Sequence, residues 1–228
     1  MIQSESRVLS HYVDVLVAFF LLFVVFLVIS GLKVVIDIVG LNSVLFPWAL
    51  AVPQILIFMY VWWLVRTKKS TLKWKEMGFR FPEEKKYFTL AVCLVPINLL
   101  VAFIYALFVV NLGIEKIVPP QIPSNILGTG WIISINLIVI TMWVPMIEET
   151  FFRGYLLTRL LKGMGIFGSI IATSLVFALM HGHLGLWAPV FINSCFISVL
   201  FIKSGSLYPV VLCHGLQNFV VALVAASA

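Results

Sequence analysis

A chain of 228 residues that is 62% hydrophobic and only 11% charged, with a mean hydropathy of +1.14, is not a soluble domain. A soluble domain is roughly a quarter charged, and no core of this size hides so much apolar surface. The apolar composition and the chain length instead predict an all-α fold: a polytopic transmembrane helical bundle of about seven spans, forming a single membrane domain.

The N-terminal MIQSESRVLSHYVDV lacks the basic start, short apolar run and small-residue cleavage site of a secretory leader, so the first apolar stretch is expected to remain as a helix. In chain order the apolar runs are Val13 to Leu32, Leu45 to Val65, Phe88 to Val110, Trp131 to Leu161, Ile166 to His181, Trp187 to Ile202 and Leu207 to Val224. The fourth is too long to lie wholly in hydrocarbon and carries Glu148, Glu149 and Arg153, which predicts a lining of protein or water around its C-terminal part.

Residues 1–130 read as N-terminal transmembrane helices with a basic loop at 66–87, and residues 131–228 as the core that bears the chemistry. In that loop, RTKKSTLKWKEMGFRFPEEKKY, eight Lys and Arg residues (66, 68, 69, 73, 75, 80, 85 and 86) outnumber Glu76, Glu83 and Glu84. The positive-inside rule places the loop, and with it the N-terminus, in the cytoplasm. The expected setting is a cell membrane, with the lipid bilayer as a partner and no nucleic acid. Basic residues interleaved with Trp74, Phe79 and Phe81 suit anionic headgroups and shallow insertion. No Gly-rich phosphate loop and no internal repeat is present, which argues against nucleotide-driven transport. Cys93, Cys195 and Cys213 fall in apolar runs without metal-type spacing and read as buried reduced thiols. Gln54 beside Pro53, and Asn98 near Pro96, read as polar residues satisfied between helices.

Ionisable groups inside membrane helices are expensive and so are functional candidates. Here they are Glu148, Glu149 and Arg153 on the fourth span, His181 at the end of the fifth and His214, with Asn218, on the seventh. Counting inward at about 1.5 Å per residue puts the glutamates roughly 15 to 17 Å deep, His181 about 22 Å, and His214 and Asn218 about 10 to 17 Å. These depths permit a shared cavity toward the cytoplasmic half. Glu149 and Arg153 stand four residues apart on one helical face, as do Phe177 and His181, and His214 and Asn218. Arg153 is therefore expected to hold Glu149, while Glu148, pointing about 100° away, is left as the freer carboxylate. One Arg does not neutralise two carboxylates, so Glu148 needs a proton, a metal or water.

Taken in order, EETFFR, FALMH and HGLQN match the E-E-x-x-x-R, F-x-x-x-H and H-x-x-x-N motifs of the CAAX protease and bacteriocin-processing enzyme family, and the resemblance runs from about Trp131 to Ala225. KWKEMGFRFP at Lys73 to Pro82 also resembles that family's segment ahead of the core. The resemblance implies an intramembrane glutamate-dependent endopeptidase of the bacterial plasma membrane, with a membrane peptide or protein as substrate. In it Glu148 activates water with the help of His181, Glu149 and Arg153 orient the site, and His214 and Asn218 stabilise the oxyanion. Asn193 and Ser194 stand where many relatives carry a small residue facing the site, and are expected to alter the cavity's shape.

No cofactor is expected. Two carboxylates and two imidazoles also suit zinc or iron, but the H-E-x-x-H helix motif is absent and a guanidinium competes for the carboxylate. Two other readings stay open: a bacteriocin self-immunity or signalling-partner protein that uses the cavity without turnover, and a proton-coupled carrier with Glu148 and His181 as a relay. His183, two residues past His181, is expected in the outer loop with no role.

Overall fold

The structure, a computed structural model, describes residues 2–39, 43–67 and 72–227. Lys68 and Lys69 of the basic loop lie outside the described residues. The described chain is helical and contains no strand: α1 (Ile2–Val39), α2 (Phe46–Arg66), α3 (Lys86–Asn111), α4 (Ile132–Ile138), α5 (Val144–Glu149), α6 (Thr158–Leu179), α7 (Leu184–Ser204) and α8 (Leu207–Ser227). Long apolar runs build these helices even across Pro53, Pro96 and Pro189, and in hydrocarbon a helix is the one open-chain form that satisfies its own backbone.

Among the described residues six helices are long and apolar enough to cross a membrane, against the seven spans expected. The difference lies in the fourth, where Ile132–Leu179 runs as one element of 48 residues. At about 1.5 Å per residue this is roughly 70 Å, more than twice the hydrocarbon thickness. Gly165, with φ 69° and ψ 179°, breaks it, which is where the sequence separated Trp131 to Leu161 from Ile166 to His181. A left-handed φ followed by extended ψ is open to glycine and strained for other residues.

Before that break, two stretches of the fourth element wind as π-helix, Val139–Trp143 and Thr150–Leu157, with the short α5 between them. Each π turn widens the helix and releases backbone carbonyls from the regular ladder, and such turns recur at functional sites. Here they flank Glu148 and Glu149.

Lipid tails are as apolar as Leu, so helices associate in a bilayer through close packing and polar contacts rather than hydrophobic exclusion. One packed cluster joins Ala18, Leu22 and Val25 of α1 to Ile57, Val61 and Leu64 of α2 and to Phe151, Phe152 and Phe177. A second joins α3, α7 and α8 through Ala91, Val95, Ile197, Leu200, Val210 and Cys213. At the start of the fourth element Asn136 is wholly buried. It accepts from Trp48 Nε1 (3.0 Å) and its amide nitrogen reaches the carbonyls of Val44, Ile126 and Leu127 at 3.1 to 3.3 Å, tying α4 to α2 and to the loop before it.

The basic loop does more than rest on headgroups. Leu72 and Met77 are buried, and Trp74 and Phe79 meet edge to face at 5.0 Å against the first two clusters. The segment is latched to the α7–α8 turn: Leu207 N donates to Gly78 O (2.9 Å), Arg80 Nε to Gly205 O (2.9 Å) and Ser206 Oγ to Arg80 O (2.6 Å). Phe81 alone of the three aromatics remains strongly exposed. The three thiols are free, but Cys93 is exposed on α3 and Cys195 only half-buried, so of the three expected to be buried Cys213 alone is.

Candidate active site

The fourth element, α6 and α8 bring the sequence-predicted residues to one cavity of about 670 Å³, with Glu148, Phe177, His181, His214 and Asn218 in its wall. Glu149 and Arg153 stand behind that wall, both fully buried. The lining reaches Ile36, Pro120 to Pro123 and His183. Because α2 and α3 are joined by the basic loop, the end of α1, the start of α2 and the loop after α3 gather at the opposite end of the bundle. The expected cavity in the half nearest the basic loop is thus corrected: it runs from mid-bundle to the far end. Depth counting missed this because His181, just past the end of α6, already stands at that far end, beyond the last helical residue Leu179.

Glu149 is held as the spacing predicts. Arg153 Nη1 lies 2.9 Å from both of its carboxylate oxygens. The guanidinium has two further supports: Nη2 donates to Ser194 Oγ (2.7 Å) and Ser194 O (3.2 Å), and its Cζ sits 4.7 Å from the centre of the Phe177 ring. A buried charge needs such partners, since removing water from it costs several kcal/mol in practice. Ser194 therefore anchors Arg153 from α7 and, like Asn193, contributes nothing to the cavity wall, against the expectation that the pair shapes it.

Glu149 also binds an imidazole. His214 Nδ1 lies 2.7 Å from Glu149 Oε1, and a carboxylate only accepts, so Nδ1 carries the proton. Nε2 is thereby aimed at the cavity, 3.9 Å from Glu148 Oε2. An oxygen atom within ordinary hydrogen-bond distance of both, about 2.8 Å, would subtend an angle of about 90°. The gap thus fits one bridging water.

Phe177 is the wedge of the site. Its ring meets those of His181 (5.0 Å) and His214 (6.0 Å) edge to face and carries Arg153 on one side. His181 Nδ1 is 2.9 Å from Phe177 O, one turn back in α6, which orients the ring, and the side chain is exposed. Asn218 Nδ2 donates to Ile140 O (3.1 Å), a carbonyl within the first π turn, and retains a second N–H. The two helices approach closely there: a Cβ on Gly215 would collide with the Thr141 carbonyl oxygen.

His183, expected to be idle, caps α7. Its Nδ1 accepts from Gly185 N at 3.1 Å, and it sits in the cavity wall. Gln54 of α2 is the residue that sequence reasoning passed over as interhelical glue. It is 5% exposed, and its Nε2 donates to Glu148 Oε1 at 2.7 Å. Its place beside Pro53 signalled a polar group in a span, but nothing in one dimension pairs it with a glutamate 94 residues away. Among the described residues no three His, Cys, Asp or Glu side chains are grouped to hold a metal ion, and both Glu149 oxygens already face Arg153.

With that geometry in view, a family model bears on the same residues: type II CAAX prenyl endopeptidase Rce1-like matches residues 130–220. That segment is Rce1-like. The match takes in all three motifs and bears out the family resemblance they carry, supporting at family level an intramembrane protease of the CAAX type. It begins at the fourth element, so α1, α2 and α3 lie outside the Rce1-like match. No curated protein and no solved structure matches the chain significantly.

Proposed function

We propose that the protein is an intramembrane endopeptidase that hydrolyses a peptide bond of a membrane-associated peptide or protein with water activated by Glu148. The observation that carries this reading is the 3.9 Å gap between Glu148 Oε2 and His214 Nε2, on a histidine whose other nitrogen is fixed by buried Glu149. A carboxylate and an oriented imidazole one oxygen atom apart can hold a nucleophile on one side and a developing negative charge on the other.

In this reading water binds Glu148 with His181 beside it. Glu148 takes the proton as the water oxygen attacks the scissile carbonyl carbon. The carbonyl oxygen becomes an oxyanion, which the unused N–H of Asn218 and the His214 ring stabilise. Protonated Glu148 then passes its proton to the leaving nitrogen as the C–N bond breaks, which restores the carboxylate. Glu149 and Arg153 touch no substrate atom; they hold His214 and neutralise one another. The reaction needs no metal in this scheme.

The apolar wall supports a substrate that is itself apolar near the bond: Leu22, Val25, Ile57, Phe151 and Phe152 form much of the lining. The test compares membrane peptides from cells bearing the wild-type protein with those bearing Glu148→Gln, which keeps the side chain's size and removes the base. A product present only with the wild type is expected. Identical peptide sets at equal protein level would overturn hydrolysis in favour of a cavity that binds without turnover.

A further inference from the structure

We infer that Gln54 of α2 is a positioning residue for Glu148, contributed to the site from outside the Rce1-like segment, and that it decides which carboxylate oxygen faces the imidazoles. This rests on the reading of Glu148 as the base.

A glutamate side chain that enters a cavity has two equivalent oxygens and free rotation about its last bond, which is broad and roughly two-fold in preference. Either oxygen, or both, then turns toward the reacting water. Gln54 removes that freedom. Its Nε2 donates to Oε1 at 2.7 Å, and Oε2 is the oxygen left 3.9 Å from His214 Nε2. The contact is short, as expected for a donor on a carboxylate acceptor.

The orientation of the amide carries the second part of the argument. An ionised carboxylate accepts only, so Gln54 must present its nitrogen, and its oxygen must turn away. That Oε1 is buried and has no hydrogen-bond partner among the described residues. Native proteins rarely leave such an atom unsatisfied, because a buried acceptor that has lost water is a net cost. An apolar side chain at position 54 would avoid the cost, and the neighbouring positions 55 to 57 are Ile, Leu and Ile. The burden is explained if Glu148 needs the donor. Pro53 precedes Gln54 inside α2, and both are buried against the fourth element, to which α2 packs along α5 and both π turns.

The experiment uses the full chain in detergent micelles and in the membrane. Infrared difference spectra, wild type minus Glu148→Gln, isolate the Glu148 carboxylate band. The same difference is taken in a Gln54→Met background, which keeps the side chain's length and removes the donor. A displaced band is expected with Gln54→Met, together with at least a tenfold slower appearance of the product that Glu148→Gln abolishes. Gln54→Glu keeps the shape and, ionised, replaces the donor by an acceptor; it gives the same two results and serves where Gln54→Met does not fold. An unmoved band overturns the inference whether or not any peptide is cleaved. A displaced band with unchanged product formation overturns the positioning role. If the wild type and Glu148→Gln yield identical peptides while the band moves, the hydrolytic reading fails and the hydrogen bond stands, so the two failures are told apart.

Discussion

Glu149 binds His214 through Nδ1 at 2.7 Å and thereby turns Nε2 of the same ring to Glu148, the adjacent residue of the same helix, at 3.9 Å. Two neighbouring glutamates are thus given unlike tasks by the single ring that both approach. One is buried, paired with Arg153 and structural; the other is half-buried, donated to by Gln54 and faces the cavity. This difference yields the sharpest expectation on stability.

Glu149→Gln leaves the fully buried Arg153 without its counter-charge, and breaking a buried pair by removing one partner costs about 3 to 5 kcal/mol. Glu148→Gln removes no buried ion-pair partner and should stay within about 1 kcal/mol of the wild type. Denaturant or thermal unfolding in micelles measures both. Equal losses for the two variants would contradict the division of roles.

Ser194→Ala deletes the hydroxyl that receives Arg153 Nη2 at 2.7 Å and leaves the backbone carbonyl at 3.2 Å. A hydrogen bond to a charged group is worth about 1.5 to 3 kcal/mol, so a loss in that range is expected. Because Ser194 stands behind the wall, cleavage at temperatures well below unfolding should change by less than about threefold, within the roughly 0.6 kcal/mol of an indirect contact. A large change in activity at full stability would place Ser194 in the site after all.

His183→Ala removes the α7 cap on Gly185 N and is expected to destabilise by about 0.5 to 2 kcal/mol. His183→Asn keeps an acceptor at the same position and should recover most of that loss. His181→Ala, by contrast, should abolish the product with little effect on unfolding, since among the described residues its one hydrogen-bond partner is the Phe177 carbonyl. Activity lost on His183→Asn at wild-type stability would show that His183 does chemistry rather than capping.

Gly215→Ala places a methyl group against the Thr141 carbonyl oxygen of the first π turn. Since this is a backbone atom, α8 must shift, and overpacking of this kind costs about 1 to 3 kcal/mol. His214 precedes Gly215, so activity should fall with stability. Wild-type stability and activity together, measured by unfolding and by product formation, would mean that α8 and the π turn are less closely packed than described.

Much of this site was legible in one dimension because the cost of charge in hydrocarbon leaves so few candidates. Glu148, Glu149, Arg153, His181, His214 and Asn218 were all found by that argument, and i, i+4 spacing correctly paired Glu149 with Arg153. What spacing does not carry is the partner on another helix. Ser194 was read as shaping the cavity, Gln54 as a polar residue satisfied between helices and His183 as idle, because the part each plays rests on a hydrogen bond made by the folded chain. The π turns were invisible for a similar reason: EETFFR has no Gly or Pro before Gly154 to signal an irregular turn, and the wide turns are accommodated by packing against α2, α6 and α8.

The sequence by itself determined the all-helical membrane architecture, the short roster of ionisable groups and the family resemblance, since transfer of charge and backbone into hydrocarbon is costly enough to constrain composition residue by residue. The tertiary structure decided where the cavity lies and which residues of other helices hold the site. Those are matters of direction and distance between helices, set by close packing at Gly215 and by hydrogen bonds across up to 94 residues of chain, and no local pattern of residues encodes them.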